Sequence, residues 1–275
     1  MERYCYFNGK FISETRAAIS PRDIGVLRGY AVFDFLVTQN GKPFLFDDHF
    51  ARLQRSAKEL GLSLPVSKAA CAAIMHTLIT RHPSQDAVIR TVLTGGVSSN
   101  GFAPDGTPTF YILIEPRKKL PPAYYRDGAR LITVDYQRFL PHVKTTHYIE
   151  AVRNNALCRK KNAVEILYVK DGLVLESASS NFFIVKRNKL ITPAERVLPG
   201  ITKKLVLKFA RNKFIVEQRP LRLTEMYAAD EAFLTASNKN ILPIVKIDDR
   251  TIGTGRVGDV TKELMHLFDD FVKKY

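Results

Sequence analysis

Three charged residues sit where packing alone would not place them. Arg90 interrupts the apolar run Ala87-Val88-Ile89-Arg90-Thr91-Val92-Leu93; on the period of two of a strand it shares a face with Val88 and Val92 and is partly buried. A buried guanidinium needs an anion, supplied by the protein or by a ligand. Lys144 lies between Pro141-His142-Val143 and Thr145-Thr146-His147-Tyr148, at the junction of a loop and a helix, where a lysine taken alone reads as solvated surface. Glu176 ends the alternating run Leu173-Val174-Leu175-Glu176 and precedes Ser177-Ala178-Ser179-Ser180-Asn181, which taken alone reads as a polar turn.

The elements that must position these groups follow from periodicity. Tyr30 to Thr38, the Asn40-Gly41 turn and Phe44-Leu45-Phe46 predict a hairpin. Asp47-Asp48 then caps a helix with Phe50, Leu53, Ala57 and Leu60 at helical spacing, stopped by Gly61. A second helix is expected over 68–81, ending before Pro83, and strands over 87–94 and 109–115, separated by a Gly-, Ser- and Asn-rich loop. Residues 117–126, with Pro121, Pro122 and a basic cluster, read as a linker between a small domain over 1–116 and a larger one over 127–275. The larger one is expected to hold a strand over 129–136, a helix from Thr146 to about Lys161, and strands over 164–169, 173–176 and 182–185. A helix opened by Gly200-Ile201-Thr202 and a closing helix over 259–273 complete it. Mixed elements without regular β-α alternation predict an α+β (mixed α/β) fold.

The composition is that of an ordinary globular chain: 275 residues, 45% apolar and 25% charged. The formal charge of +15 directs attention to acidic ligands. Its basic residues, however, lie in short clusters such as Arg117-Lys118-Lys119, without the long runs or aromatic interleaving of nucleic-acid modules, so no nucleic-acid partner is expected. Cys5, Cys71 and Cys158 are too scattered for a disulfide framework or a metal knuckle, and no metal is expected. Met1 to Lys10 lacks the apolar core of a secretory leader, and no long apolar run suits a membrane. A cytoplasmic protein is expected.

Taken in order, His49-Phe50-Ala51-Arg52-Leu53, Lys144 ahead of Tyr148, Glu176 before Ser179-Ser180-Asn181-Phe182, and Leu198-Pro199-Gly200-Ile201-Thr202-Lys203 resemble the class IV (fold type IV) pyridoxal-phosphate aminotransferases. That family contains branched-chain and D-amino acid aminotransferases and aminodeoxychorismate lyase, and the resemblance runs from Tyr6-Phe7-Asn8-Gly9 to the final helix. It implies a homodimer with pyridoxal 5'-phosphate as cofactor and amino acids and 2-oxo acids as substrates. By this resemblance Arg52, the helix-start amides of Ile201 and Thr202, and the Ser237 hydroxyl hold the cofactor phosphate, for which fixed cations and free N–H groups are suited. Lys144 is the amine that binds the cofactor's aldehyde and, once displaced by the substrate, moves the α-proton. Glu176 keeps the pyridine nitrogen protonated, and Tyr148 donates to the ring oxygen. The plain alternatives are a surface Arg52 beside Ser56 and Glu59, a Thr202 that merely starts a helix, and a Tyr148 that merely packs.

The branches of the family differ in how they hold substrate carboxylates. The loop Thr94-Gly95-Gly96-Val97-Ser98-Ser99-Asn100-Gly101-Phe102 lacks the Arg and His by which the best-known D-amino acid enzymes trap the α-carboxylate, and Phe33 stands where they carry tyrosine. The segments around Arg28 and Arg90 resemble a less usual group of D-amino acid transaminases in which such arginines bind substrate carboxylates. The alternative is a loop cation at Arg28 and an Arg90 paired with a core carboxylate such as Asp34. The expected activity is transamination of a D-amino acid; branched-chain L-amino acid transamination and aminodeoxychorismate lyase chemistry stand as alternatives. Lys203, where an arginine is commoner, is expected to matter little.

Overall fold

The computed structural model describes residues 3–275; Met1 and Glu2, which open the segment read above for a leader, lie outside the described residues. The chain forms two compact units, one comprising residues up to Lys118 together with Val143–His147 and Tyr275, the other Lys119–His142 and Tyr148–Lys274.

The first unit contains β1 (Tyr4–Phe7), β2 (Lys10–Ser13), α1 (Ile24–Leu27), β3 (Ala31–Gln39), β4 (Lys42–Pro43), α2 (Phe46–Glu59), α3 (Lys68–Arg81), β5 (Ala87–Thr94) and β6 (Phe110–Pro116). Its strands form an antiparallel sheet in the order β2-β1-β6-β5-β3-β4. The β1–β2 turn is Asn8-Gly9, both with positive φ, which suits a tight hairpin. The helix over 68–81 and the strand over 87–94 fall where periodicity places them. The hairpin after Asn40-Gly41 is shorter than expected: its return strand ends at Pro43, which has no N–H to continue a ladder. Leu45 then takes a left-handed φ of 53° and α2 starts at Phe46. Asp47 and Asp48 therefore occupy the first turn of α2 and not its cap, where their charge still suits the helix dipole. Phe50 and Leu53 of α2 and Cys71 and Met75 of α3 bury the face of the sheet that carries Leu36 and Ile89.

Residues 143–147 are laid against the start of β3. The Phe33 N–H donates to the Lys144 carbonyl (2.9 Å) and the Thr146 N–H to the Ala31 carbonyl (3.2 Å), while the Lys144 N–H donates to Ser56 Oγ on α2 (3.1 Å). Both the strand and the helix thus fix the backbone of Lys144.

The second unit begins with α4 (Pro122–Arg126), which replaces part of the expected linker. Pro122 suits a first helical turn, and Tyr124 and Tyr125 pack against the core of this unit. Then come β7 (Ala129–Asp135), α5 (Ile149–Arg153), α6 (Asn155–Lys160), β8 (Glu165–Lys170), β9 (Leu173–Ser177), β10 (Asn181–Lys186), β11 (Lys189–Thr192), α7 (Ile201–Ala210), β12 (Ile215–Gln218), β13 (Leu221–Arg222), α8 (Leu223–Tyr227), β14 (Glu231–Ala236), β15 (Asn240–Ile247), β16 (Arg250–Thr251) and α9 (Asp259–Lys274). The sheet order is β12-β11-β10-β14-β15-β7-β8-β9-β13, with β16 beside β15. Parallel pairs (β7–β8, β7–β15, β11–β12) and antiparallel ones coexist, as the α+β expectation allows. The single helix expected over 146–161 is two. Asn154 Nδ2 donates back to the Glu150 carbonyl (2.9 Å) and carboxylate (2.7 Å), and such side-chain bonds compete with helical ones.

Gly29 links the first unit's helix α1 to its lysine segment. Its φ is +65°, and a Cβ there would lie 2.5 Å from His147 Nε2. Gly29→Ala is expected to lower the unfolding free energy in urea by at least about 1–2 kcal/mol, the cost of a left-handed non-glycine residue.

Candidate active site

In the first unit Asp34 ends the search for Arg52's partner. Arg52 is buried, so it is not a surface arginine, and it grips Asp34 side-on: Nε to Oδ2 and Nη2 to Oδ1, each at 2.8 Å. His49 Nδ1 lies 2.6 Å from Asp34 Oδ1, which assigns the proton to that nitrogen. The spacing of His49 and Arg52 puts both on one face of α2 above the strand that carries Asp34. Burial alone would push the Asp34 carboxyl up, but Arg52 and His49 outweigh it and hold it far below the usual carboxylate range. Burial in turn keeps the His49 imidazole below its ordinary value, despite Asp34. Arg52 is therefore a fixed cation whose Nη1 makes no hydrogen bond among the described residues.

Arg90 does not pair with Asp34. In the β3–β5 register Thr91 faces Asp34 and Arg90 faces Phe35, so Arg90 belongs to the opposite face of the sheet. Its guanidinium carbon lies 5.3 Å from the Phe35 ring centroid and 5.8 Å from that of Phe33, with a loose 3.7 Å contact to Glu115. Lys144 is buried, and its Nζ lies 4.6 Å from the Phe33 centroid. Arg28 is exposed, with its guanidinium 4.5 Å over the Phe102 ring.

The second unit brings its expected residues into a separate web. Glu176, buried, accepts from Arg138 Nη1 (3.1 Å) and from the Leu198 N–H (2.9 Å). Arg138 also donates to the Pro141 carbonyl (3.1 Å). The Leu198 carbonyl accepts from Asn181 Nδ2 (2.8 Å), and Asn181 in turn closes on Gly200: a Cβ on Gly200 would fall 1.9 Å from Asn181 Oδ1. One residue, Leu198, thereby connects the Glu176 carboxylate through its N–H to Asn181 beside the start of α7 through its carbonyl. Gly200 has no side chain to cap that helix, and no acidic residue occupies its first turn, where Ile201, Thr202 and Lys203 are all buried. Thr235, opposite Asn181 in the β10–β14 ladder, has a buried hydroxyl without a hydrogen-bond partner. Tyr148 is half-buried at the N-cap of α5, and Ser237 is half-buried in the turn after β14.

Two further buried cations lie in this unit, of which Lys239 escapes sequence reading. Lys239 Nζ donates to Ser179 Oγ (2.8 Å) and Ser180 Oγ (3.2 Å) and lies 3.5 Å from Glu165, whose carboxylate also accepts from both serine hydroxyls. Burial would raise the Glu165 carboxyl, but Lys239 and the hydroxyls together lower it. This cluster ties the loop after Glu176 to the turn bearing Ser237. Lys203 donates to the Pro193 carbonyl (2.6 Å), and burial draws its amine down to about 8, only partly opposed by Glu176. Contrary to the expectation that this position matters little, it holds a buried charge. Asp34 could have been found by the signal that exposed Arg90, an ion inside an apolar strand; Arg138 stands in no pattern that marks it.

A class IV amino-transferase profile matches residues 31–247. The chain belongs to the class IV aminotransferase family. It is 35% identical to a Methanocaldococcus jannaschii protein bearing the provisional name branched-chain-amino-acid aminotransferase, over 98% of this chain and 96% of that one. It is 29% identical to the D-alanine aminotransferase of Bacillus licheniformis, over 94% and 93%. The solved branched-chain amino acid aminotransferase of Escherichia coli shares the fold, with 24% identity, a TM-score of 0.92, and coverage of 99% of this chain and 95% of that one. Class IV aminotransferases use pyridoxal phosphate. The residues present fit that group: an uncapped helix start beside an unpartnered buried hydroxyl suits a phosphate, and a buried lysine suits an aldehyde.

Asp34→Asn leaves Arg52 buried without its anion. The unfolding free energy at pH 7 is expected to fall by about 3–5 kcal/mol, read by urea denaturation. Because folding lowers the Asp34 pKa, its contribution is complete above the ordinary carboxyl pKa of about 3.9 and is lost as the pH falls below it; the deficit of the variant should shrink there. Lys203, whose pKa folding also lowers, gives the same direction of pH dependence in a higher window. Between pH 8 and 10.5 the unfolded chain binds the proton that the folded one has released, so the stability of the native protein is expected to rise with pH through that window, and Lys203→Met should abolish the rise.

Proposed function

We propose that the protein is a pyridoxal-phosphate-dependent transaminase that moves the amino group of a D-amino acid such as D-alanine or D-glutamate to a 2-oxo acid. The supporting observation is that Lys144 Nζ and the Arg90 guanidinium flank the same Phe33 ring, 4.6 Å and 5.8 Å from its centroid. An amine that can work on the α-carbon and a fork that can hold a carboxylate are thereby offered together. Arg28, held against Phe102, is a second carboxylate-binding candidate on the loop side of the same unit.

Pyridoxal phosphate, when bound, supplies an aldehyde to receive the amino group and a ring to accept the electron pair of the α-carbon. Arg52, fixed by Asp34, would be a cation for the phosphate, and the amides of Ile201 and Thr202 and the hydroxyl of Ser237 would be its other donors. Glu176, hydrogen-bonded to Arg138, would partner the ring nitrogen, and Tyr148 would donate to the ring oxygen. Lys144 Nζ takes the α-proton and returns it. Exposed apolar residues of the first unit, among them Val26, Leu27 and Phe102, support a homodimer. A second reading, transamination of branched-chain L-amino acids, has the support of the 35% identity to the Methanocaldococcus jannaschii protein.

The purified holoenzyme is expected to change its visible spectrum on addition of D-alanine or D-glutamate and not of L-leucine; the reverse pattern replaces the first reading with the second. Arg90→Leu should raise the apparent KM for the amino donor by about tenfold or more while leaving cofactor binding unchanged, as expected for loss of a charged hydrogen bond.

A further inference from the structure

At the far end of the first unit's sheet, the β1–β6 ladder pairs Tyr6 with Ile112 and Phe7 with Tyr111 and goes no further, although β1 begins at Tyr4 and β6 continues to Pro116. The strands part there. The last turn of α3 and the residues after it border the opening, a cavity of about 250 Å³. That is a little under the roughly 300 Å³ at which pockets for drug-sized ligands begin.

The lining divides into two kinds of surface. Leu78 and Ile114, both buried, give it an apolar floor, and Pro83 and Pro116 extend that floor. Arg3 and Arg81 contribute nitrogen donors, His82 adds an imidazole, and none of the lining residues is acidic. Neither arginine has an ion pair among the described residues. The Arg81 guanidinium instead lies over two rings, 5.0 Å from the Phe11 centroid and 5.8 Å from that of Tyr4. Stacking of this kind holds a guanidinium plane in place and leaves its N–H edge available to a carboxylate. His82 Nδ1 lies 2.8 Å from the Ser84 carbonyl and 3.2 Å from its amide nitrogen, so whichever tautomer is present the Ser84 turn engages this side of the ring. Arg3 and Arg81 are exposed, and among the described residues two guanidinium groups share the lining of one cavity to which no carboxylate contributes.

We infer that this cavity is a second binding site, separate from the residues assigned to transamination, and that it takes a small organic carboxylate with an apolar body. The carboxylate is held by Arg3 and Arg81 and the apolar body lies on Leu78 and Ile114. The site belongs wholly to the first unit and its existence does not depend on which amino acid the enzyme uses.

The test is calorimetric titration of the cofactor-loaded protein with 3-phenylpropanoate, alongside Arg3→Gln, Arg81→Gln and Arg90→Gln variants. The expected result is a class of sites that Arg3→Gln and Arg81→Gln each weaken by about tenfold or more, the scale of one charged hydrogen bond, and that Arg90→Gln leaves intact. The cofactor spectrum and turnover of the Arg3 and Arg81 variants should match the parent. A titration with no such class, or one unaltered by both substitutions, overturns the proposal. Inorganic phosphate at equal concentration should displace the probe weakly; equal displacement would show a site selecting charge alone and would overturn the part assigned to the apolar floor.

Discussion

A charge removed from water must meet its opposite, and this requirement organises both units. Arg52 with Asp34, Arg138 with Glu176, and Lys239 with Glu165 are all buried pairs. Each includes a group with little conformational choice left, because the penalty for losing a partner far exceeds the gain from making the pair. Stability is a weak reason to keep such pairs. Fixing a cation or a carboxylate at one place is a better one, and two of the three pairs contain a residue with a proposed cofactor contact.

The remaining structure follows from where those pairs sit. Asp34 is on a strand and Arg52 on the helix covering it, so a firm sheet-to-helix contact holds Arg52 in register; the same strand and helix also tie down the backbone of Lys144. Glu176 is held by a side chain on one side and by the Leu198 peptide on the other, so the strand end cannot shift without disturbing the approach to α7. Helix starts bind anions well only when their amides are left uncapped, and Gly200 leaves them so at the cost of close packing against Asn181.

Much of this was legible in the sequence, for a physical reason. Strands β5 and β8 to β10 declare themselves as short apolar runs, since they are buried along most of their length, and helices α3, α7 and α9 by apolar spacing and their flanking residues. Arg90 and Glu176 attract notice by breaking such a pattern, and Lys144 gains meaning only from the order of motifs around it. What stayed hidden depends on distance in sequence. Nothing local says that Asp34 belongs to Arg52 and not to Arg90; the β3–β5 register decides it. The short strands β11 to β13 and β16 carry too few residues to show a period, and the break at Asn154 arises from a side chain that competes with its own backbone.

Residues 143–147 belong to the first unit although the stretches on either side belong to the second, and Tyr275 returns to the first unit at the very end. The polypeptide is therefore not a string of two separable modules. A gene fragment ending near residue 118 would encode the sheet with Arg52 and Arg90 but without the lysine laid against β3, and the complementary fragment would carry that lysine without the strand that orients it. Recombination between relatives at that point would exchange both partners of this contact independently, so the two portions of the coding sequence are bound to be inherited together.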